Sequence, residues 1–187
     1  MTVRPTWDDY YLGIADAVAA RANCTRRKVG AVVVRNNSIV ATGYNGAPPG
    51  EPGCLTDSAC PRGKHYLPGN GAMICMCGNP WPCADSVLPG SSYDSGKGSC
   101  IAIHSEANAL VRAGEKSRGA VLYCTDEPCD GCWRLIKGAG ISRVRYYGGE
   151  WTAGVPENSM KVWTLLLGLD RSVRRWFSKG GNQTRSC

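Results

Sequence analysis

Apolar and polar positions alternate in two rhythms along the chain. Trp7, Tyr10, Tyr11, Ile14, Val18 and Ala22 recur at three- and four-residue spacing and form one helical stripe. Thr6 stands ahead of it as an N-cap, and Asp9 completes a capping-box pattern, so a helix is predicted over Trp7 to Ala22. The rhythm then shortens. Val29 to Arg35 and Ser38 to Gly43 are β-rich runs on either side of Asn36-Asn37, and asparagine tolerates the positive φ of a tight hairpin.

From Tyr44 to about Ser99 the apolar positions keep no sustained period. This stretch carries eight of the eleven prolines and ten of the 24 glycines, together with Cys54, Cys60, Cys75, Cys77 and Cys83. Several cysteines in a long segment without a core of its own suggest a metal staple. Beyond it the pattern predicts a helix over Ile103 to Ala113 closed by Gly114, and a strand over Ala120 to Thr125. A helix over Cys129 to Lys137, a strand over Ile141 to Tyr147 and an amphipathic helix over Glu157 to Leu167 follow, and "SVRRW" reads as a last edge strand. The order α-β-β-α-β-α-β-α-β implies parallel pairings and a sheet covered on both faces, in a three-layer α/β/α arrangement. Residues 1–187 read as one domain, with an insertion over about 44–99 and a C-terminal helix and basic tail over about 150–187.

Composition narrows the setting. The chain has 187 residues, 43% hydrophobic and 20% charged, no apolar run near membrane-spanning length, and no apolar leader in "MTVRPTWDDYYL". A cytoplasmic, reducing location is therefore expected, and eleven cysteines, an odd number, then need an explanation other than disulfides. Metal ligation is one; small buried hydrophobes are the other, and suit Cys124 and Cys187. The formal net charge of +7 favours anionic partners such as phosphates, nucleotides or nucleic acid, although a solvated surface plus the tail "RSVRRWFSKGGNQTR" would also produce it.

The chemistry concentrates in two short stretches, "HSEANALVRAG" and "EPCDGC". Cys129 and Cys132 are spaced C-x-x-C behind Pro128, at a helix start that favours thiolates. Alone, that motif fits a redox pair or half of a zinc ribbon. If adjacent parallel strands carry the two helices, successive helix starts fall at one sheet edge, which puts His104 beside the two cysteines. Three protein ligands leave one position open, the mark of a catalytic zinc that activates water near neutral pH. Glu106, two residues from His104, can then move a proton without binding the metal. The order H-x-E…P-C-x-x-C is the signature of zinc-dependent nucleobase deaminases. A cap role for His104 and dipole pairing for Glu106 are the ordinary alternatives for each residue taken singly.

The chain resembles the deoxycytidylate deaminase family of the cytidine-deaminase-like superfamily. The resemblance is carried by "RPTWDDYYLGIADAVAARANCTRRKVGAVVVRNNSIVATGYNGAPPG", "CIAIHSEANAL" and "LYCTDEPCDGCWRLIKGAGISRVRYYG". It implies a central mixed five-stranded sheet with helices on both faces, with His104, Cys129 and Cys132 on the catalytic zinc and Glu106 as the proton shuttle. It also implies that Asn45 of "GYNG" bonds the nucleotide, an amide having both donors and acceptors to offer. For a phosphate grip "CTRRKVG" supplies Arg26, Arg27 and Lys28, of which Arg26 and Lys28 are expected to face the site. The implied reaction is deamination of dCMP to dUMP, supplying thymidylate synthesis. Implied too are a homo-oligomer, often a hexamer, and dCTP and dTTP as effectors with Mg2+.

The chain departs from the family pattern in two places. His104-Ser105-Glu106 replaces the commoner H-A-E. Some relatives carry a structural zinc on cysteines like Cys24 and Cys54 and on histidines just before the catalytic one, where this chain has Ala102. Cys100 is expected to substitute, and Cys60, Cys75, Cys77, Cys83 and His65 are further candidates for at least one structural zinc. The altered loop leaves a 5-methyl or 5-hydroxymethyl dCMP as the alternative substrate. A tRNA-editing deaminase and a non-catalytic zinc module for nucleic acid are more distant readings, the latter disfavoured by Glu106.

Overall fold

The computed structural model describes residues 4–24, 26–57, 59–65, 75, 77–80, 82–87 and 99–154. Helix α1 runs Trp7–Ala19, strand β1 Gly30–Arg35 and strand β2 Ser38–Tyr44. Within the insertion lies a five-residue helix α2, Pro61–His65. Then come α3 (Ser105–Ala113), a 3-10 turn, β3 (Val121–Cys124), α4 (Asp130–Gly138), β4 (Arg143–Tyr146) and β5 (Gly149–Thr152).

The expected capping box is present. Asp9 N–H donates to Thr6 Oγ1 at 3.1 Å, and Asp9 Oδ2 accepts from Thr6 N–H at 3.3 Å. The helix ends three residues earlier than its pattern suggests, because the next residues are drawn elsewhere. Asn23 N–H donates to the Asn45 carbonyl at 3.0 Å, and the Asn23 side-chain oxygen accepts from Leu55 N–H at 2.7 Å. The buried stripe is also rotated from the expected one. Tyr11, Leu12, Ala15 and Ala19 are buried, whereas Trp7 and Tyr10 are about half exposed and pack ring to ring with Tyr11.

The hairpin forms as expected. Asn36 and Asn37 both take positive φ (51° and 56°), which matches a turn's twist to that of its strands. The sheet has the order β2-β1-β3-β4-β5. It is mixed as expected, but only β3–β4 is parallel; β1–β2, β1–β3 and β4–β5 are antiparallel. The fifth strand is Gly149–Thr152, which pairs back on β4 through the Tyr147-Gly148 turn. The helix expected at Glu157 to Leu167 and the strand expected in "SVRRW" lie outside the described residues.

β1 divides the core. Val32 and Val34 face α1 and pack with Tyr11, Leu12, Ala15 and Tyr123. Ala31 and Val33 face the other way and pack with Ala109, Leu110, Leu122, Cys132, Ile136 and Val144 of α3, β3, α4 and β4. That alternation is the two-residue period of a strand covered on both faces. An ion network ties α1 to the sheet: Asp8 accepts from Arg143 at 2.7 and 3.2 Å and from Tyr123 Oη at 3.0 Å.

Two antiparallel steps, β2 to β1 and β1 to β3, leave β2 and β3 running the same way. The segments after β2 and β3 therefore both emerge at one sheet edge, where α3 and α4 begin. The parallel strands that place the two helix starts together are thus not adjacent, as the sequence pattern suggests, but separated by antiparallel β1. Gly46 and Ile103 form an isolated bridge (2.8 and 3.2 Å) that returns the chain from the insertion directly onto the start of α3.

Candidate active site

Each proposed ligand lies at a helix start. His104 is the N-cap of α3 and Cys129 the N-cap of α4, both in extended backbone and neither spending its side chain on a cap hydrogen bond. Cys132 sits in the first turn of α4 and is buried. His104 Nδ1 lies 3.4 Å from Cys129 Sγ and 3.3 Å from Cys132 Sγ. Tetrahedral ligation with metal–sulfur bonds of about 2.3 Å and metal–nitrogen bonds of about 2.05 Å sets a sulfur–nitrogen edge of about 3.6 Å. The three donor atoms lie within 4.8 Å of one another, so number, type and spacing fit a zinc ion.

Glu106 is 4% exposed and lines the same cleft as His104. Burial lifts its carboxyl above the ordinary range, against the opposing pull of backbone N–H, the Ser105 hydroxyl and His104. Ser105, where the resemblance leads one to expect alanine, is fully buried and donates its hydroxyl to Glu106 Oε2 at 2.8 Å. The departure thus gives the acid an extra donor.

α3 is held against β2 by an absence of side chain. A Cβ on Gly43 would overlap the Ser105 carbonyl oxygen and the Ala109 nitrogen, so the helix carrying His104 and Glu106 rests directly on the strand backbone. Asn108 Nδ2 donates to the Tyr44 carbonyl at 2.8 Å and Arg112 to the Thr42 carbonyl at 2.9 Å along the same seam.

The cleft is also lined by Arg26, Arg27, Asn45, Arg62, Asp126 and Glu127. Arg26 is in the lining as expected; Lys28 is not, and Arg27 takes its place, anchored to Asp126 at 2.7 Å. Asn45 engages its own chain: Nδ2 donates to the Arg27 carbonyl and Oδ1 accepts from Val29 N–H, both at 2.9 Å. Its amide therefore shapes the arginine turn that borders the cleft. Arg62 went unnoticed in the sequence, because nothing in the aperiodic insertion marks it; it is 1% exposed and faces the cleft.

The cysteines of the insertion divide into two groups. Cys54 hydrogen-bonds with Cys60 and feels the charge of Cys24, and burial with these neighbours pushes its thiol up to about 12. Cys100 hydrogen-bonds with Cys60 and feels Cys54, which raises its thiol as well. Cys75, Cys77 and Cys83 gather instead around His65. Cys124 is fully buried in the core, as the plain hydrophobic reading has it. Among the described residues no helix is long and apolar enough to cross a membrane.

An imidazole and two thiols around one point, with a buried acid beside them and an open cleft in front, have the make-up of a hydrolytic metal centre. Residues 5–148 match the family described as the cytidine and deoxycytidylate deaminase zinc-binding region, and the chain belongs to that family. It is 46% identical over 145 residues to the deoxycytidylate deaminase of Mycobacterium phage D29, covering 76% of this chain and 95% of the relative. It is 37% identical over 146 residues to that of Schizosaccharomyces pombe, where the match spans 77% of this chain but 38% of the longer relative. A solved dCMP deaminase from the cyanophage S-TIM5, in complex with dCMP and dUMP, is 28% identical, with a TM-score of 0.48 over 78% of this chain and 83% of that one. The tRNA-editing, modified-dCMP and nucleic-acid-module readings draw no support from these relatives.

Proposed function

We propose that this chain, read as one deaminase domain, hydrolyses dCMP to dUMP and ammonia, with dUMP passing to thymidylate synthesis. The observation that carries the reading is the convergence of His104, Cys129 and Cys132 beside buried Glu106. His104, Cys129 and Cys132 would hold the zinc, which when bound supplies an activated water as nucleophile. Water's oxygen adds to C4 of the cytosine ring, the exocyclic C–N bond breaks, and ammonia leaves. Glu106 carries one proton of water to ring N3 as the oxygen adds, and the second, from the added hydroxyl, to the exocyclic nitrogen as the C–N bond breaks and C4=O forms; burial lifts its carboxyl above the ordinary range. Ser105 orients it. Arg26 and Arg62 on the cleft wall suit the 5′-phosphate, and Asn45 holds the wall that carries Arg26 and Arg27 in shape.

The finer parts of the proposal are a structural zinc on Cys24, Cys54, Cys60 and Cys100, a cytoplasmic location, a homo-oligomer, and dCTP and dTTP effectors with Mg2+. The hydrogen bonds of Cys60 with Cys54 and Cys100, and the nearness of Cys24 to Cys54, support the first. The exposed apolar residues Val111 and Leu135 on neighbouring helices support the oligomer. The deciding experiment is ammonia release from dCMP, 5-methyl-dCMP, 5-hydroxymethyl-dCMP, CMP, dCTP and deoxycytidine. dCMP is expected to be fastest, and Glu106→Gln is expected to keep its zinc and lose turnover by at least about 10²-fold. Normal turnover in that variant would sink the assigned role.

A further inference from the structure

Away from the cleft, His65, Cys75, Cys77 and Cys83 each place a ligand atom within 4.8 Å of the others. Cys75 Sγ and Cys83 Sγ both lie 3.5 Å from His65 Nδ1 and 3.7 Å from each other. A tetrahedral zinc with three sulfurs and one nitrogen sets edges of about 3.8 Å between sulfurs and about 3.6 Å from sulfur to nitrogen. A disulfide is a different object, with its sulfurs about 2.05 Å apart.

The surroundings suit thiolate ligands. The Asn79 side-chain amide donates to Cys77 Sγ at 3.4 Å and the Ser86 hydroxyl to Cys83 Sγ at 3.5 Å, the outer bonds that steady metal-bound sulfur. Cys75 N–H donates to the Asn79 carbonyl and Gly78 N–H to the Cys75 carbonyl, both at 2.8 Å, with Gly78 at φ +88°. This tight loop presents Cys75 and Cys77 from one side. On the other side Val87 N–H donates to the His65 carbonyl at 3.1 Å and brings Cys83 in.

We infer that His65, Cys75, Cys77 and Cys83 form a closed structural site for a zinc-class ion, separate from the catalytic centre and from the Cys24, Cys54, Cys60 and Cys100 group. Four protein ligands leave no coordination position for substrate or water, so the site holds structure. The need for it is local. Among the described residues from 75 to 87, only Cys75 and Val87 are buried. The ion also anchors α2. That helix begins directly after Cys60, whose thiol belongs to the other group, ends at His65, and carries Arg62 between them onto the cleft wall. This last consequence for substrate rests on the function proposed above; the metal site itself does not.

The test counts metal in the full-length chain purified under reducing conditions, by elemental analysis against protein concentration. Cys75→Ala with Cys83→Ala is expected to lose one zinc per chain relative to wild type. Cobalt exchange is expected to show thiolate charge-transfer absorption from this site beside that of the catalytic centre and of the Cys24, Cys54, Cys60 and Cys100 group, and the double variant is expected to lose this site's share alone. Should the double variant not fold, His65→Cys serves instead: it is expected to keep the ion and to gain about one-third in that site's thiolate absorption, as three sulfurs become four. Unchanged zinc content in the folded double variant, an unchanged cobalt spectrum in His65→Cys, or a native Cys75–Cys83 disulfide would overturn the assignment. None of these readouts uses deamination, so a failure here is distinct from a failure of the proposed reaction.

Discussion

Gly43→Ala is a single-methyl perturbation placed where the fold meets the chemistry. The added Cβ would overlap the Ser105 carbonyl oxygen and the Ala109 nitrogen and would lie 3.0 Å from Ala109 Cα, all of them backbone atoms that no rotamer change can move. To reach ordinary contact, α3 must withdraw from β2 by on the order of 1 Å, a displacement that costs about 10²-fold in rate when it carries catalytic groups. His104 and Glu106 flank Ser105, so both move. The expected result is a fall in kcat/KM for dCMP of about 10²-fold, or about 2.7 kcal/mol in transition-state stabilisation. The assay is ammonia release at a temperature where both proteins are fully folded, with zinc per chain measured alongside. Gly13→Ala is the control: Gly13 lies in α1 with nothing within 4 Å of its added Cβ. It should gain about 0.5–1 kcal/mol of stability and leave kcat/KM unchanged. Full zinc content and kcat/KM within twofold of wild type in Gly43→Ala would refute the idea that the β2–α3 contact sets the site.

Three further outcomes follow from the packing and charge. Burial pushes the Asp8 carboxyl up, but hydrogen bonds from Arg143 and Tyr123 and the charges of Arg143 and Arg145 outweigh it and hold it below the usual carboxylate range. Its contribution is therefore present above its unfolded pKa of about 4 and is lost as pH falls through the lower folded value. Asp8→Asn should cost about 1–2 kcal/mol at pH 7, a gap that closes below about pH 4; a gap constant down to strong acid, read by urea unfolding, would contradict this. Ile136→Ala removes a fully buried side chain between α4 and the sheet and should lower the unfolding free energy by about 2–5 kcal/mol; a loss under 1 kcal/mol in urea would show a core that re-closes. Arg62→Met should raise KM for dCMP far more than it lowers kcat, and an equal KM for deoxycytidine in both proteins would place the lost contact at the phosphate.

The parts of this molecule legible in its sequence are those governed by neighbours along the chain. Thr6 and Asp9 announce a helix start, Asn36-Asn37 a hairpin and Gly114 a helix end, and each does what it announces. The convergence of the four residues proposed for catalysis was legible because His104 and Glu106, and Cys129 and Cys132, are short-range pairs at helix starts. The pairing of β1 with β3 was not, since the antiparallel insertion of β1 between β2 and β3 is decided by a register that no local pattern encodes. Nor was β5, which is four residues long and is defined by its pairing to β4. Arg62, and the division of the insertion's cysteines between two groups, depend on how an aperiodic segment folds back on itself. There periodicity carries no information, and ligand spacing alone allows many pairings.

The two faces of β1 separate two kinds of change. A substitution behind Val32 or Val34 meets α1, which carries none of the groups proposed to react; a substitution behind Ala31 or Val33 meets α3 and α4, which carry them. Heat tolerance can thus be adjusted from one side of the sheet while turnover is left alone. Natural variation in thermal hardiness among kindred enzymes should accumulate in the α1 layer, and variation in substrate preference behind the opposite wall.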